Sequence, residues 1–125
     1  IKYFHSKQTY SAFKYRDKYK NELAYKYSPI ERVGVYVPGG TASYPSTVLM
    51  NCIPALVAGV KNIYLTTPAF GTAVNPAVIY AAKKCGVKEI YKTGGAHSIA
   101  ALAYGTKTFK KVDKMEFSIL LLLML

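Results

Sequence analysis

Two glycine pairs, Gly39-Gly40 and Gly94-Gly95, carry the clearest chemical potential in this sequence. Each ends an apolar, strand-like run and opens a helix-like one. A glycine pair lets the backbone take positive φ and come close to whatever sits above a strand end. A strand, a glycine turn and a helix amino terminus together can receive an anion or a nucleotide. A plain βα connection uses the same residues for geometry alone, and one short glycine motif does not separate the two. His97 follows the second pair at a helix amino terminus. There a neutral imidazole can hydrogen-bond a ligand, and the helix dipole favours the neutral form; the bland alternative is a solvent-facing helix residue. His5 has no partner at metal spacing and reads as a packed or surface histidine. Cys52 and Cys85 match neither a CxxC nor a zinc pattern, so they read as reduced, buried small hydrophobes that demand no oxidising compartment.

Regular elements must position these residues. Val33, Val35 and Val37 are β-branched and suit a buried strand that stops at Pro38. Thr41 or Ser43 is expected to cap the next helix, with Pro45 in its first turn. That helix is expected over Ser46 to Val60. Val48, Leu49, Cys52, Ile53, Leu56 and Val57 would form its apolar face, with a kink or division at Pro54 and an end at Gly59. Asn62–Thr67 reads as a second strand. Asn75-Pro76 reads as a cap and first position of a helix that ends at Gly86. Val87–Lys92 reads as a third strand, Ala96–Tyr104 as a helix of small residues, and Phe109–Lys114 as a short strand or loop. This β-α-β-α-β-α alternation implies a Rossmann-like parallel sheet of the α/β class, with flanking helices and right-handed crossovers. Ligands of such sheets bind at the strand carboxyl ends, where both glycine pairs fall.

The 125 residues amount to one domain or part of one, and a 51% hydrophobic content supports a folded core. The net charge of +11 permits attraction to nucleic acid, acidic membrane or phosphorylated ligands. Codon bias toward A/T, which favours Lys, Tyr, Ile and Asn, accounts for the same lysine count. Ile1 to about Thr9 reads as the end of a helix. Tyr10–Tyr27 reads as two exposed strands joined near Asp17–Asn21, a β-rich extension before the parallel sheet. Its interleaved Tyr and Lys suggest a stacking surface for single-stranded nucleic acid. No nucleic-acid motif accompanies them, and lysine is a common guard on sheet edges. The first residues carry no secretory pattern. The absence of an initial Met points to a fragment.

The placed residues form an ordered pattern. Glu31-Arg32-Val33-Gly34-Val35-Tyr36-Val37-Pro38-Gly39-Gly40-Thr41-Ala42 is followed by Pro45-Ser46-Thr47-Val48-Leu49-Met50-Asn51, Ile53-Pro54-Ala55 and Val57-Ala58-Gly59-Val60. Val74-Asn75-Pro76-Ala77-Val78, Cys85-Gly86-Val87, Gly94-Gly95-Ala96, Ile99–Thr106 and Lys111–Lys114 continue it. From Ile30 to Lys114 the chain resembles histidinol dehydrogenase; Phe4-His5 and Gln8 fit more loosely. The resemblance implies the last enzyme of histidine biosynthesis, which oxidises L-histidinol through the aldehyde to L-histidine with two NAD⁺. It implies a homodimer with one zinc per active site and a Glu-His pair that handles protons. Nucleic acid and membrane are not implied as partners. The implied compartment is cytoplasmic, or a plastid if the source is a plant. Two NAD contacts carry over: Tyr36 matches a tyrosine of the family, and His97 stands where the family usually has Gln. An amide offers a donor and an acceptor, and so does a neutral imidazole, but the ring differs in reach and shape, which points to weaker NAD binding.

The resemblance divides the chain into an amino-terminal helix end and β extension (1–29), an incomplete NAD-side domain (30–114) and a divergent apolar tail (115–125). The family continues after Lys114 through Gly-Pro-Gly-Asn, whereas here Met115–Leu125 follows. That run is far shorter than the roughly 20 residues a membrane span needs. The abrupt change reads as a frameshift, a splice or assembly artefact, or a pseudogene end. The family's zinc ligands and its catalytic Glu-His pair lie downstream of Leu125. The chain alone is therefore expected not to oxidise histidinol, and an inactive remnant is the remaining alternative.

Overall fold

A computed structural model describes residues 1–8, 11–39, 43–69, 71 and 73–117. Gly40, Thr41 and the tail Ser118–Leu125 lie outside the described residues. A short helix, α1 (Lys2–Ser6), precedes an antiparallel hairpin of β1 (Phe13–Arg16) and β2 (Glu22–Tyr25). The turn between them is closed by Asp17, whose carboxylate accepts from the amides of Tyr19 (2.8 Å) and Asn21 (2.9 Å). Then follow β3 (Arg32–Tyr36), α2 (Pro45–Val57), β4 (Asn62–Thr66), α3 (Pro76–Lys84), β5 (Glu89–Tyr91), α4 (Gly95–Tyr104) and β6 (Lys114–Phe117).

The last four strands form one parallel sheet in the order β5-β4-β3-β6. Side chains alternate across it, as strand geometry requires. Val33, Val35, Ile63 and Leu65 join a core with Val48 and Cys52 of α2 and Val78, Ala81 and Ala82 of α3. Tyr64, between Ile63 and Leu65, instead packs with Leu102 of α4 and with Val112. Helices therefore cover both faces, which is why β3 and β4 read as nearly continuous apolar runs. The chain leaves β3 toward β4 and β5, then returns by α4 to place β6 on the other side of β3. This makes the β3/β6 pair a topological switch point.

Three local expectations differ from the structure. The residue at the amino-terminal cap of α2 is Tyr44, with no side-chain capping bond, so Ser43 is not the cap. Proline at the first position starts the helix instead. Pro54 does not divide α2. It lies near the helix end, and Ala58 N–H still donates to the Pro54 carbonyl at 2.9 Å. The fourth parallel strand is Lys114–Phe117 rather than Phe109–Lys114. Residues 106–109 form a turn held by Thr106, whose Oγ1 accepts from the Phe109 amide at 3.0 Å. The Asp113 carboxylate then accepts from the Arg32 amide at 2.9 Å, which sets the register of β6 against β3.

Candidate functional site

The carboxyl ends of β3, β4 and β5 meet around Pro68. A Cβ at Gly39 would stand 2.9 Å from Pro68 Cγ, and one at Gly94 would stand 2.8 Å from the same atom. Only glycine lets both turns close on the proline that ends β4. Backbone bonds fasten the strand ends: Val37 N–H donates to the Thr66 carbonyl (2.9 Å) and Thr67 N–H to the Tyr91 carbonyl (3.1 Å). Thr66, fully buried, sends its hydroxyl to the Thr93 carbonyl at 2.6 Å.

Tyr36 ends β3 and is half-buried. Its ring lies 6.4 Å from that of Phe117, so it sits in the fork between β3 and β6. Its hydroxyl accepts from the Gly95 amide at 3.4 Å, a link across 59 residues. His97 is exposed on the first turn of α4, with Nε2 3.3 Å from Thr93 Oγ1. The His97 ring also lies against Gly95: a Cβ there would be 3.1 Å from Cε1 and 3.2 Å from Nδ1, and φ is +77°. Tyr36 and His97 thus converge on Gly95.

The three helices that start along this rim differ in their first turns. Asn75 caps α3, its Oδ1 accepting from the Ala77 amide at 2.9 Å. The helices after the two glycine turns, α2 and α4, have no side-chain cap and no acidic residue in the first turn. Their dipole ends present partial positive charge at the rim, with the Gly95 amide of α4 already given to the Tyr36 hydroxyl and the Thr47 amide of α2 to the Tyr44 carbonyl.

The remaining candidates lie elsewhere. His5 is tied to Gln8, with Nδ1 2.8 Å from Oε1. Cys52 and Cys85 are free and buried between α2 and α3. Burial, and then the neighbouring Cys85, push the Cys52 thiol up to about 12, and burial also raises that of Cys85. Both are inert packing residues at neutral pH. Among the described residues, no three His, Cys, Asp or Glu side chains come together as a metal site. The described residues therefore do not fit a zinc ion. Sequence reasoning missed Thr66, Pro68 and Thr93. Pro68 carried a signal as a strand stop, but the contacts of all three span separate βα units that no local pattern links.

On the hairpin, the register puts Phe13, Tyr15, Leu23 and Tyr25 on one face and Lys14, Arg16 and Glu22 on the other. Glu22 binds both cations, at 2.8 Å from Lys14 and 2.6 Å from Arg16. The aromatic rings and these two basic groups therefore do not share a surface, unlike the stacking grooves of single-strand binders.

The parallel order, with helices on both faces and a switch point at the β3/β6 pair, defines an α/β sheet of the Rossmann type. A sequence profile described as Histidinol dehydrogenase matches residues 1–116. Histidinol dehydrogenase of Pelagibacter ubique is 61% identical over 112 residues, which is 90% of this chain and 26% of that protein. That of Mesorhizobium japonicum is 53% identical over 115 residues, 92% of this chain and 27% of that protein. The crystal structure of histidinol dehydrogenase from Elizabethkingia anophelis is similar with a TM-score of 0.86 at 42% identity, covering 92% of this chain and 27% of that one. The chain belongs to the histidinol dehydrogenase family and spans about a quarter of the length of these relatives.

Proposed function

We propose that this chain is the NAD-side part of a histidinol dehydrogenase, the NAD-dependent oxidoreductase that converts L-histidinol to L-histidine in two steps. The observation that carries the reading is the convergence of Tyr36 and His97 on Gly95, at the amino terminus of α4. NAD⁺, when bound, supplies the hydride acceptor. The chain's own part is to hold it. Tyr36 offers a ring face and a hydroxyl at the β3/β6 fork. His97 offers a ring nitrogen at the rim, and the amides of α4 receive negative charge. Gly39 and Gly94 shape the rim through the backbone.

On this reading the zinc ligands and the Glu-His pair belong to the part of the family's length that this chain does not span. The homodimer and a cytoplasmic location, or a plastid in a plant, belong to the same reading. No helix among the described residues is long and apolar enough to cross a membrane.

Calorimetric titration of the 125-residue chain with NAD⁺ tests the reading. Tyr36→Ala is expected to weaken binding by about tenfold or more, which is ~1.4 kcal/mol. Equal affinity of the folded wild type and variant, or no binding by the folded wild type, overturns it. The nucleic-acid alternative predicts affinity for single strands that falls steeply with salt.

A further inference from the structure

Thr93 stands between a buried anchor and an exposed histidine. Its carbonyl is fixed by the 2.6 Å bond from Thr66, whose side chain is wholly inside the sheet. Its hydroxyl lies 3.3 Å from Nε2 of His97, one helical turn further on. The other edge of the imidazole, Cε1 and Nδ1, rests over Gly95. A surface histidine has several rotamers available to it. A partner anchored on the neighbouring strand selects one of them.

We propose that Thr93 is a positioning residue: it engages Nε2, orients the imidazole over Gly95 and leaves Nδ1 as the single ring nitrogen presented to the cofactor. This rests on the NAD reading above. A threonine hydroxyl can donate or accept, so it satisfies Nε2 in either neutral form of the ring. The pair also gives the rim a particular chemistry. A glutamine amide at this position would carry a donor and an acceptor side by side. An imidazole held through Nε2 offers one nitrogen only, suited to a single polar group of the cofactor such as a ribose hydroxyl. Thr93 and His97 therefore act as one unit, and neither substitution alone is neutral for binding.

Thr93→Val keeps the shape and removes the hydroxyl; Thr93→Ser keeps the hydroxyl. In the isotopically labelled chain, the Hα–Hβ couplings of His97 are expected to report one side-chain rotamer in the wild type and in Thr93→Ser, and an averaged set in Thr93→Val. His5, bonded to Gln8, serves as the unchanged internal reference. The dissociation constant for NAD⁺ is expected to rise about threefold to tenfold in Thr93→Val, the range for one hydrogen bond, and to recover in Thr93→Ser. Unchanged His97 couplings in folded Thr93→Val overturn the proposal. NAD⁺ binding that Tyr36→Ala weakens and Thr93→Val does not overturns the positioning role alone. A folded wild type that does not bind NAD⁺ overturns the cofactor reading instead, while the couplings still decide whether Thr93 orients the ring.

Discussion

Gly94 packs its bare Cα against the ring of Pro68: a Cβ there would lie 2.8 Å from Cγ and 2.9 Å from Cβ of the proline. Neither side of this contact is a flexible tip, so an added methyl must move a turn. Gly94→Ala is expected to destabilise the chain by about 1–3 kcal/mol, the usual cost of overpacking. Pro68→Ala removes the ring atoms and should recover part of that loss. Thermal unfolding of the two single variants and the double variant measures the coupling. Strict additivity of the two would contradict the contact.

Asn75 is the one rim cap that uses its side chain, through the 2.9 Å bond from Ala77 N–H. Asn75→Ala is expected to cost ~1 kcal/mol, and Asn75→Asp close to nothing, since both oxygens cap well. Urea denaturation of the three proteins distinguishes a cap from a residue that merely precedes Pro76.

The cysteines predict an alkaline limit. The Cys52 thiol, ordinarily near 9.0, is raised to about 12 by burial and then by Cys85. The native state therefore keeps a proton that the unfolded chain releases as pH climbs past 9.0. The linked stability is fully present below that pH and is lost as pH rises toward about 12. Urea midpoints of wild type and Cys52→Ala should draw together as pH rises from 9.0 toward about 12, because the Cys52 loss is carried by the wild type alone. Thiol-specific reagents should label neither cysteine until denaturant is added. Rapid labelling of the native chain would show that the α2–α3 layer is open.

Mixing the chain with L-histidinol, NAD⁺ and Zn²⁺ is expected to produce no NADH. The described residues hold no cluster of three metal-ligating side chains. Absorbance of reduced cofactor above the enzyme-free rate, from the pure chain, would contradict this.

The framework was readable because local signals agreed with the tertiary result. Alternating valines made β3, and Asn75-Pro76 made the start of α3 with the cap in place. The glycine turns fell at strand carboxyl ends because the β-α periodicity put them there. Misreadings arose where packing overrode pattern. Lys114-Met115-Glu116-Phe117 has no β-branched residue, and it becomes a strand through pairing with β3 and the Asp113 bond to Arg32. In α2 the buried face includes Thr47 while Leu56 is exposed, because burial depends on how far the sheet and α3 extend beneath the helix. In the local pattern Tyr36 is a strand residue only. Its bond to Gly95 joins two turns 59 positions apart, beyond any local signal.

The hairpin of β1 and β2 is exposed at all eight strand positions, whereas four of the five β4 residues are buried. An isolated two-stranded ribbon is marginal in water, so its ladder opens without the rest of the fold. Hydrogen–deuterium exchange would divide the molecule accordingly: hairpin amides exchanging through frequent local openings, and β4 amides waiting for global unfolding. Proteolysis should follow the same division, with cutting near Asp17–Asn21 preceding any loss of the parallel sheet.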